Sequence, residues 1–141
     1  AVRRDAAYLN WRFVQPPHAR YSTALLRRAD ATAGYVVYRH LQEPRGRVTD
    51  VVDFLTEPGD DRALKTLLRW VDREARAADS DKIRCHALHA GFRRVLKRSG
   101  YFGVRSSASL SVKLQDAAAA RAFHETTDDW HFTLGDGAVD H

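Results

Sequence analysis

The residues best suited to chemistry in this chain lie between Phe54 and Tyr101. A turn, TEPGDDR, separates an apolar run from an amphipathic one, and Cys85, His86 and His89 follow. Ligands of α/β sheets bind at the carboxyl ends of strands, beside helix amino termini whose unpaired N–H groups favour anions. Residues Phe54 to Arg62 are therefore the first place to expect a ligand. Asp60 and Asp61 support a second reading, because two carboxylates at a helix start complement its dipole and cap it without any ligand. His86 and His89 supply two imidazoles, but no third metal ligand is set by spacing, so packing or solvent exposure accounts for them and no metal is expected. Cys85 falls in a core strand, which disfavours a reactive thiol, and no G-x-S-x-G elbow is present. Nucleophilic hydrolase chemistry is disfavoured accordingly.

The elements that must position these residues are legible as periodicities. Val48, Val51, Val52, Phe54 and Leu55 form a nearly continuous apolar strand, suited to a central place with both faces covered. Leu64, Leu67, Leu68 and Val71 recur at helical spacing after a cap at Asp60 or Asp61, which predicts a helix packed on the sheet. Lys82 to Leu88 places Ile83, Cys85 and Ala87 on one side, and a strand after a crossover helix is expected to run parallel to its predecessor. Two such strands open a cleft at their carboxyl ends. Upstream, Tyr21 to Ala29, Gly34 to Leu41 and Arg47 to Thr56 read as strands joined by DATA and QEPRG, an antiparallel meander. Residues 5–13 predict a short helix with Tyr8, Leu9, Trp11 and Phe13 inward, stopped by Pro16 and Pro17. Downstream, Ser106 to Leu114 and Trp130 to Leu134 read as strands, with an alanine-rich helix between them from Asp116 through His124.

At 141 residues, 44% of them hydrophobic, the chain suits one domain with a sizeable core. One cysteine excludes an internal disulfide framework and leaves a reducing cytoplasm as the default expectation. No apolar run approaches the ~18 residues that span a bilayer, and the amino terminus lacks the apolar core of a signal peptide. The formal charge of +5 is spread over separate arginine pairs rather than one tract with interleaved aromatics, so nucleic-acid binding ranks last. The chain contains no methionine and its first residues already read as the interior of a fold. It is expected to be a piece of a longer polypeptide, with an opening helix and linker in residues 1–19 and a core in residues 20–135. An upstream domain of the same polypeptide or a second copy is the expected partner.

Three antiparallel strands feeding a β-α-β-α unit and then a closing strand pair resemble the GNAT superfamily of acyl-CoA N-acyltransferases. The likeness covers residues 20–135 and implies a mixed α/β (α+β) sheet, with acetyl-CoA or another acyl-CoA as co-substrate and an amine or amino sugar as acceptor. By position it implies that the backbone of Phe54, Leu55 and Thr56 holds the pantetheine arm and acyl carbonyl. Gly59, Asp60, Asp61 and Arg62 would border the pyrophosphate. Here GDDRAL replaces the family's basic, glycine-rich turn, leaving Gly59 alone to approach a phosphate and Arg62 as the only cation. HAGFRRVLKRSGY resembles the family's later helix, with Gly100 and Tyr101 as its closing pair. His89 stands where an asparagine is usual, and Leu96 where the tyrosine that protonates the departing thiolate is usual. Acyl transfer needs a base for the amine proton and a group to neutralise the thiolate; His89, Tyr101 and His86 are the nearest candidates by sequence. YLNWRF and WHFTLGDGAVDH resemble stretches of bacterial GNAT-like proteins found with cell-envelope polysaccharide genes, where Asp136 and Asp140 would face an amine or sugar. The altered turn and missing tyrosine fit equally a catalytically inactive module that packs on a partner or grips a glycan. That alternative predicts exposed apolar surface around Trp11 or Trp130.

Overall fold

The apolar runs become strands and the amphipathic runs become helices in a computed structural model that describes residues 4–15 and 20–105 together with His131 and Thr133. In chain order, α1 (Ala6–Leu9) continues into a π-helical turn (Asn10–Val14), followed by β1 (Ser22–Arg28), β2 (Ala31–Glu43), β3 (Gly46–Thr56), α2 (Asp61–Ala77), β4 (Lys82–Cys85) and α3 (Ala90–Arg98). The strands lie in the order β1-β2-β3-β4, the first three antiparallel and β4 parallel to β3. This is the expected mixed α/β sheet, a meander leading into a β-α-β-α unit. The anticipated strand at 106–114 and helix at 116–124 lie outside the described residues, as do Trp130, Asp136 and Asp140; of the anticipated strand at 130–134, only His131 and Thr133 are described.

β3 is the buried axis of the sheet. Every residue from Val48 to Phe54 is buried, as the continuous apolar run requires. On one face Val36, Tyr38, Val51 and Phe54 meet Leu64, Leu67, Leu68 and Val71 of α2 and Phe92, Val95 and Leu96 of α3. On the other, Tyr35, Val37 and Val52 meet Phe13, with Tyr8 and Leu9 at the margin. Gly34 on β2 allows the close approach of α2 to the end of β3: a Cβ there would lie 2.7 Å from the Leu55 carbonyl oxygen and 3.3 Å from Leu67 Cδ1.

Three expectations are corrected. Trp11 does not point inward; it is 63% exposed while Phe13 is buried. Residues two apart on a helix face different directions, so both could not join one core. The strand expected over Lys82 to Leu88 stops at Cys85, because the chain must leave the sheet to reach the α3 cap at His89. The link DATA is also shorter than it reads. Ala29 adopts the left-handed region at φ 53°, so Ala29 and Asp30 alone make the turn and β2 begins at Ala31.

The start of β4 is clamped to β3 by polar contacts. Asp50, buried in β3, accepts from Arg84 Nε at 2.6 Å and from Arg84 Nη2 at 3.0 Å, with Arg39 Nε 3.6 Å away. Thr49, also buried, is hydrogen-bonded to His40 and to Ser80, each at 2.8 Å. No helix among the described residues is long and apolar enough to cross a membrane.

Candidate functional site

The parallel pair ends early. β4 matches β3 only from Val48↔Lys82 to Val51↔Cys85, yet β3 runs on to Thr56. Where the pair ends, a bulge at Val52 sets Asp53 opposite Val37 and Val51 opposite Tyr38. Bulges bend and twist their strand locally. Among the described residues, no strand pairs with Val52 to Thr56 on the β4 side. Past this point β3 runs on to Thr56, while the chain after β4 passes through residues 86–89 into α3.

Aromatic side chains cluster where β3 runs on past β4. The Phe54 and Phe92 rings lie 5.3 Å apart, and His131 stands edge-on to both at 5.2 Å. His131 Nε2 donates to the Phe54 carbonyl oxygen at 2.6 Å. A carbonyl that a ladder would otherwise hold thus receives a side chain from elsewhere in the chain. At the end of the strand the Thr56 hydroxyl is buried without a hydrogen-bond partner among the described residues.

β3 leads directly into the turn and α2. Gly59 adopts φ +88°, with nothing within 4 Å of where a Cβ would stand, so its backbone is open to close approach. Asp60 is the cap: its Oδ1 accepts from the Ala63 amide at 3.0 Å and its Oδ2 from Arg28 Nη1 at 3.0 Å. Among the described residues, no hydrogen bond reaches the amides of Asp61 and Arg62, so two donors of the first turn remain available. Both readings of the turn therefore meet in one place, a carboxylate cap beside two open amides and the exposed Arg62.

The Ala63 amide, and then Arg28, hold the Asp60 carboxyl below its ordinary range. A depressed folded pKa stabilises the fold above the unfolded carboxylate value of about 3.9, and that contribution fades as pH falls through the depressed value. Asp60→Asn keeps a capping oxygen but does not titrate. Its acid unfolding curve is expected to be flatter than the parent's below about pH 4, read by circular dichroism; superimposable slopes would show that Asp60 does not contribute.

The two residues expected to handle protons are placed differently from each other. His89 is the N-cap of α3, its Nδ1 accepting from the amides of Gly91 at 3.1 Å and Phe92 at 3.4 Å. With Nδ1 so engaged, the neutral ring carries its proton on Nε2. Nε2 keeps a donor, and the ring becomes a base only by giving up the cap. The Tyr101 hydroxyl is buried without a hydrogen-bond partner among the described residues, and burial pushes the phenol well above its ordinary pKa. A phenol held so high can donate a hydrogen bond to a thiolate but is a weak acid towards it. Its ring packs against the same core as Cys85, whose thiol burial pushes up to about 12. His86 is half-buried, and among the described residues no group of three His, Cys, Asp or Glu side chains could hold a metal ion.

Asp53 is the constellation that residue spacing did not single out. Its carboxylate is buried and accepts from Tyr35 Oη at 2.8 Å, Thr133 Oγ1 at 2.8 Å and Arg4 Nε at 3.3 Å. It ties the start of the chain, β2, β3 and Thr133 together at the bulge. The signal was present, since VTDVVDFL carries two aspartates inside an otherwise apolar strand. A charge at such a place has to be paired.

No protein-family profile matches the sequence, and no curated protein matches it either. Solved structures do share the architecture. Ribosomal-protein-alanine N-acetyltransferase from Brucella melitensis biovar Abortus 2308 superposes with a TM-score of 0.59 at 17% identity, covering 78% of this chain and 83% of that one. The chain has a GNAT-like fold. A probable acetyltransferase superposes at 0.53 with 16% identity over 68% of both chains. A variant of TTHA1254 from Thermus thermophilus gives 0.54 with 18% identity, covering 74% of this chain and 76% of that one. β3 links the split from β4 directly to the turn into α2.

Proposed function

We propose that the chain transfers an acyl group from acyl-CoA to an amine, in the cleft where β3 and β4 part. The observation that carries this reading is the end of the parallel pair at Val51↔Cys85, with β3 continuing five residues into an open glycine turn and the start of a helix. An extended thioester arm can lie along the Phe54 to Thr56 backbone as an added strand would. Its pyrophosphate then reaches the amides of Asp61 and Arg62, with the Arg62 guanidinium alongside. The amine nitrogen attacks the thioester carbon, the C–N bond forms, the C–S bond breaks, and the thiolate takes up the proton that the amine gives away. Tyr101 and the Nε2–H of His89 are the proposed donors towards the sulfur. His131 holds the Phe54 carbonyl, so the incoming arm either displaces it or packs beside it.

Arg62→Ala is expected to weaken coenzyme A binding about tenfold, the usual effect of losing one charge-assisted phosphate contact. Isothermal titration of acetyl-CoA, with ATP as a control for anion binding, checks this; an unchanged affinity would remove Arg62 from the site. Asp60→Asn should act in the opposite direction and tighten binding several-fold by discharging the turn.

A second reading, a catalytically silent module that grips a partner or glycan, is favoured by a different observation. Trp11 and Val14 are 63% and 69% exposed on the π-helical turn, the apolar surface which that reading anticipates. It predicts no acyl transfer to any amine, together with loss of partner or glycan binding on Trp11→Ala.

A further inference from the structure

Away from the cleft, a groove of about 460 Å3 runs between the edge strand β1 and α2. It is lined by Thr23 to Leu26 on one side and by Arg69, Trp70 and Arg73 on the other. Among the described residues, β1 pairs with β2 alone, and no strand among them lies along its other edge. Edge strands are normally blunted by charges, proline or an early bulge. Ser22 to Leu26 carries neither charge nor proline, and the bulge comes only at Leu26/Arg27.

The facing helix is basic. Arg62, Lys65, Arg69 and Arg73 recur at helical spacing along α2, and no ion pair among the described residues reaches Arg69 or Arg73. The Arg73 guanidinium lies 4.6 Å above the Trp70 ring, and Trp70 Nε1 donates to Tyr38 Oη at 3.4 Å. These contacts hold an indole that is still 40% exposed at the groove wall. Open strand edge, apolar platform and two unneutralised guanidinium groups thus share one surface.

We propose that this groove binds an extended acidic peptide segment of a protein partner. The segment adds to β1 as a further strand, sets its carboxylates on Arg69 and Arg73, and rests an apolar side chain on Trp70. A second copy of this chain fits less well, since pairing two β1 edges would bring the basic helices together. A nucleic acid supplies negative charge but no alternating N–H and C=O groups for the edge.

The test is fluorescence anisotropy with the labelled octapeptide Thr-Glu-Thr-Glu-Thr-Val-Thr-Val, whose Glu and Val side chains share one face of a strand, titrated with the 141-residue chain. Saturable binding is expected, with at least about a tenfold loss in the Arg69→Glu/Arg73→Glu variant and a comparable loss when alternate peptide amides are N-methylated. The Lys/Val counterpart should not bind. Both arginines are exposed, and circular dichroism of the variant confirms that it is folded. Equal binding of the N-methylated peptide, an unchanged affinity in the charge-reversed variant, or tighter binding of single-stranded DNA would each overturn the proposal.

Discussion

Asp53→Ala is expected to lower the unfolding free energy by about 3–5 kcal/mol, the cost of removing one partner from a buried ion pair. The carboxylate is 1% exposed, and the Arg4 side chain that donates to it is 8% exposed. Without Asp53, Arg4, the Tyr35 hydroxyl and Thr133 Oγ1 each lose this buried carboxylate as an acceptor. Burial, and then the Asp53 charge, already push the Tyr35 phenol far above its ordinary pKa, which keeps it a donor at any working pH. Urea unfolding reads the loss directly. A domain of this size has roughly 5–15 kcal/mol in total, so the variant should sit near its threshold at room temperature. Asp53→Asn keeps the shape and one acceptor oxygen, which gives a measurable comparison if the alanine variant does not accumulate. A loss under about 1 kcal/mol for both would show that the cluster is not what joins the two ends of the described chain.

Phe54→Ala should cost a similar amount, about 3–5 kcal/mol, through cavity formation rather than lost pairing. Phe54 is 1% exposed and its ring touches both Phe92 and His131. The ring therefore sets the spacing between β3 and α3 that defines the cleft. The variant leaves the backbone carbonyl in place, so coenzyme A affinity should fall further than global unfolding alone explains. Titration below the unfolding transition separates the two effects. A destabilised variant that still binds at parental affinity would mean that the cleft does not depend on this contact.

Sequence and structure agree where one periodicity dominates and diverge where a local conformation or a distant partner decides. The α2 helix was readable in full, because Leu64, Leu67, Leu68 and Val71 are buried on one face and Asp60 caps it. β3 was readable as a central strand, and its parallel pairing to β4 followed from the intervening helix. The bulge at Val52 was not, since it leaves no mark in a run of valines. Nor was the early end of β4, where alternation persists through Ala87 although the backbone has already left the sheet. At the turn, the resemblance pointed to Gly59 to Arg62, but only the structure shows Asp60 committed to Ala63 and Arg28, with no hydrogen bond among the described residues to the neighbouring amides. His89 looked like a base from its type and position; its role as a helix cap depends on a ring orientation that no sequence pattern states. His131 and Thr133 reach β3 from about eighty residues away, beyond the range of any periodicity argument.

The central claim is that acyl-CoA lies along the end of β3 and at the start of α2. An amide chemical-shift titration of the isotopically labelled chain with acetyl-CoA tests both binding and place at once. Saturable shifts at Leu55, Thr56, Gly59, Asp61 and Arg62, stronger than those produced by ATP, are the predicted result. Absence of shifts at millimolar ligand, or shifts confined to the basic groove and matched by ATP, would contradict it.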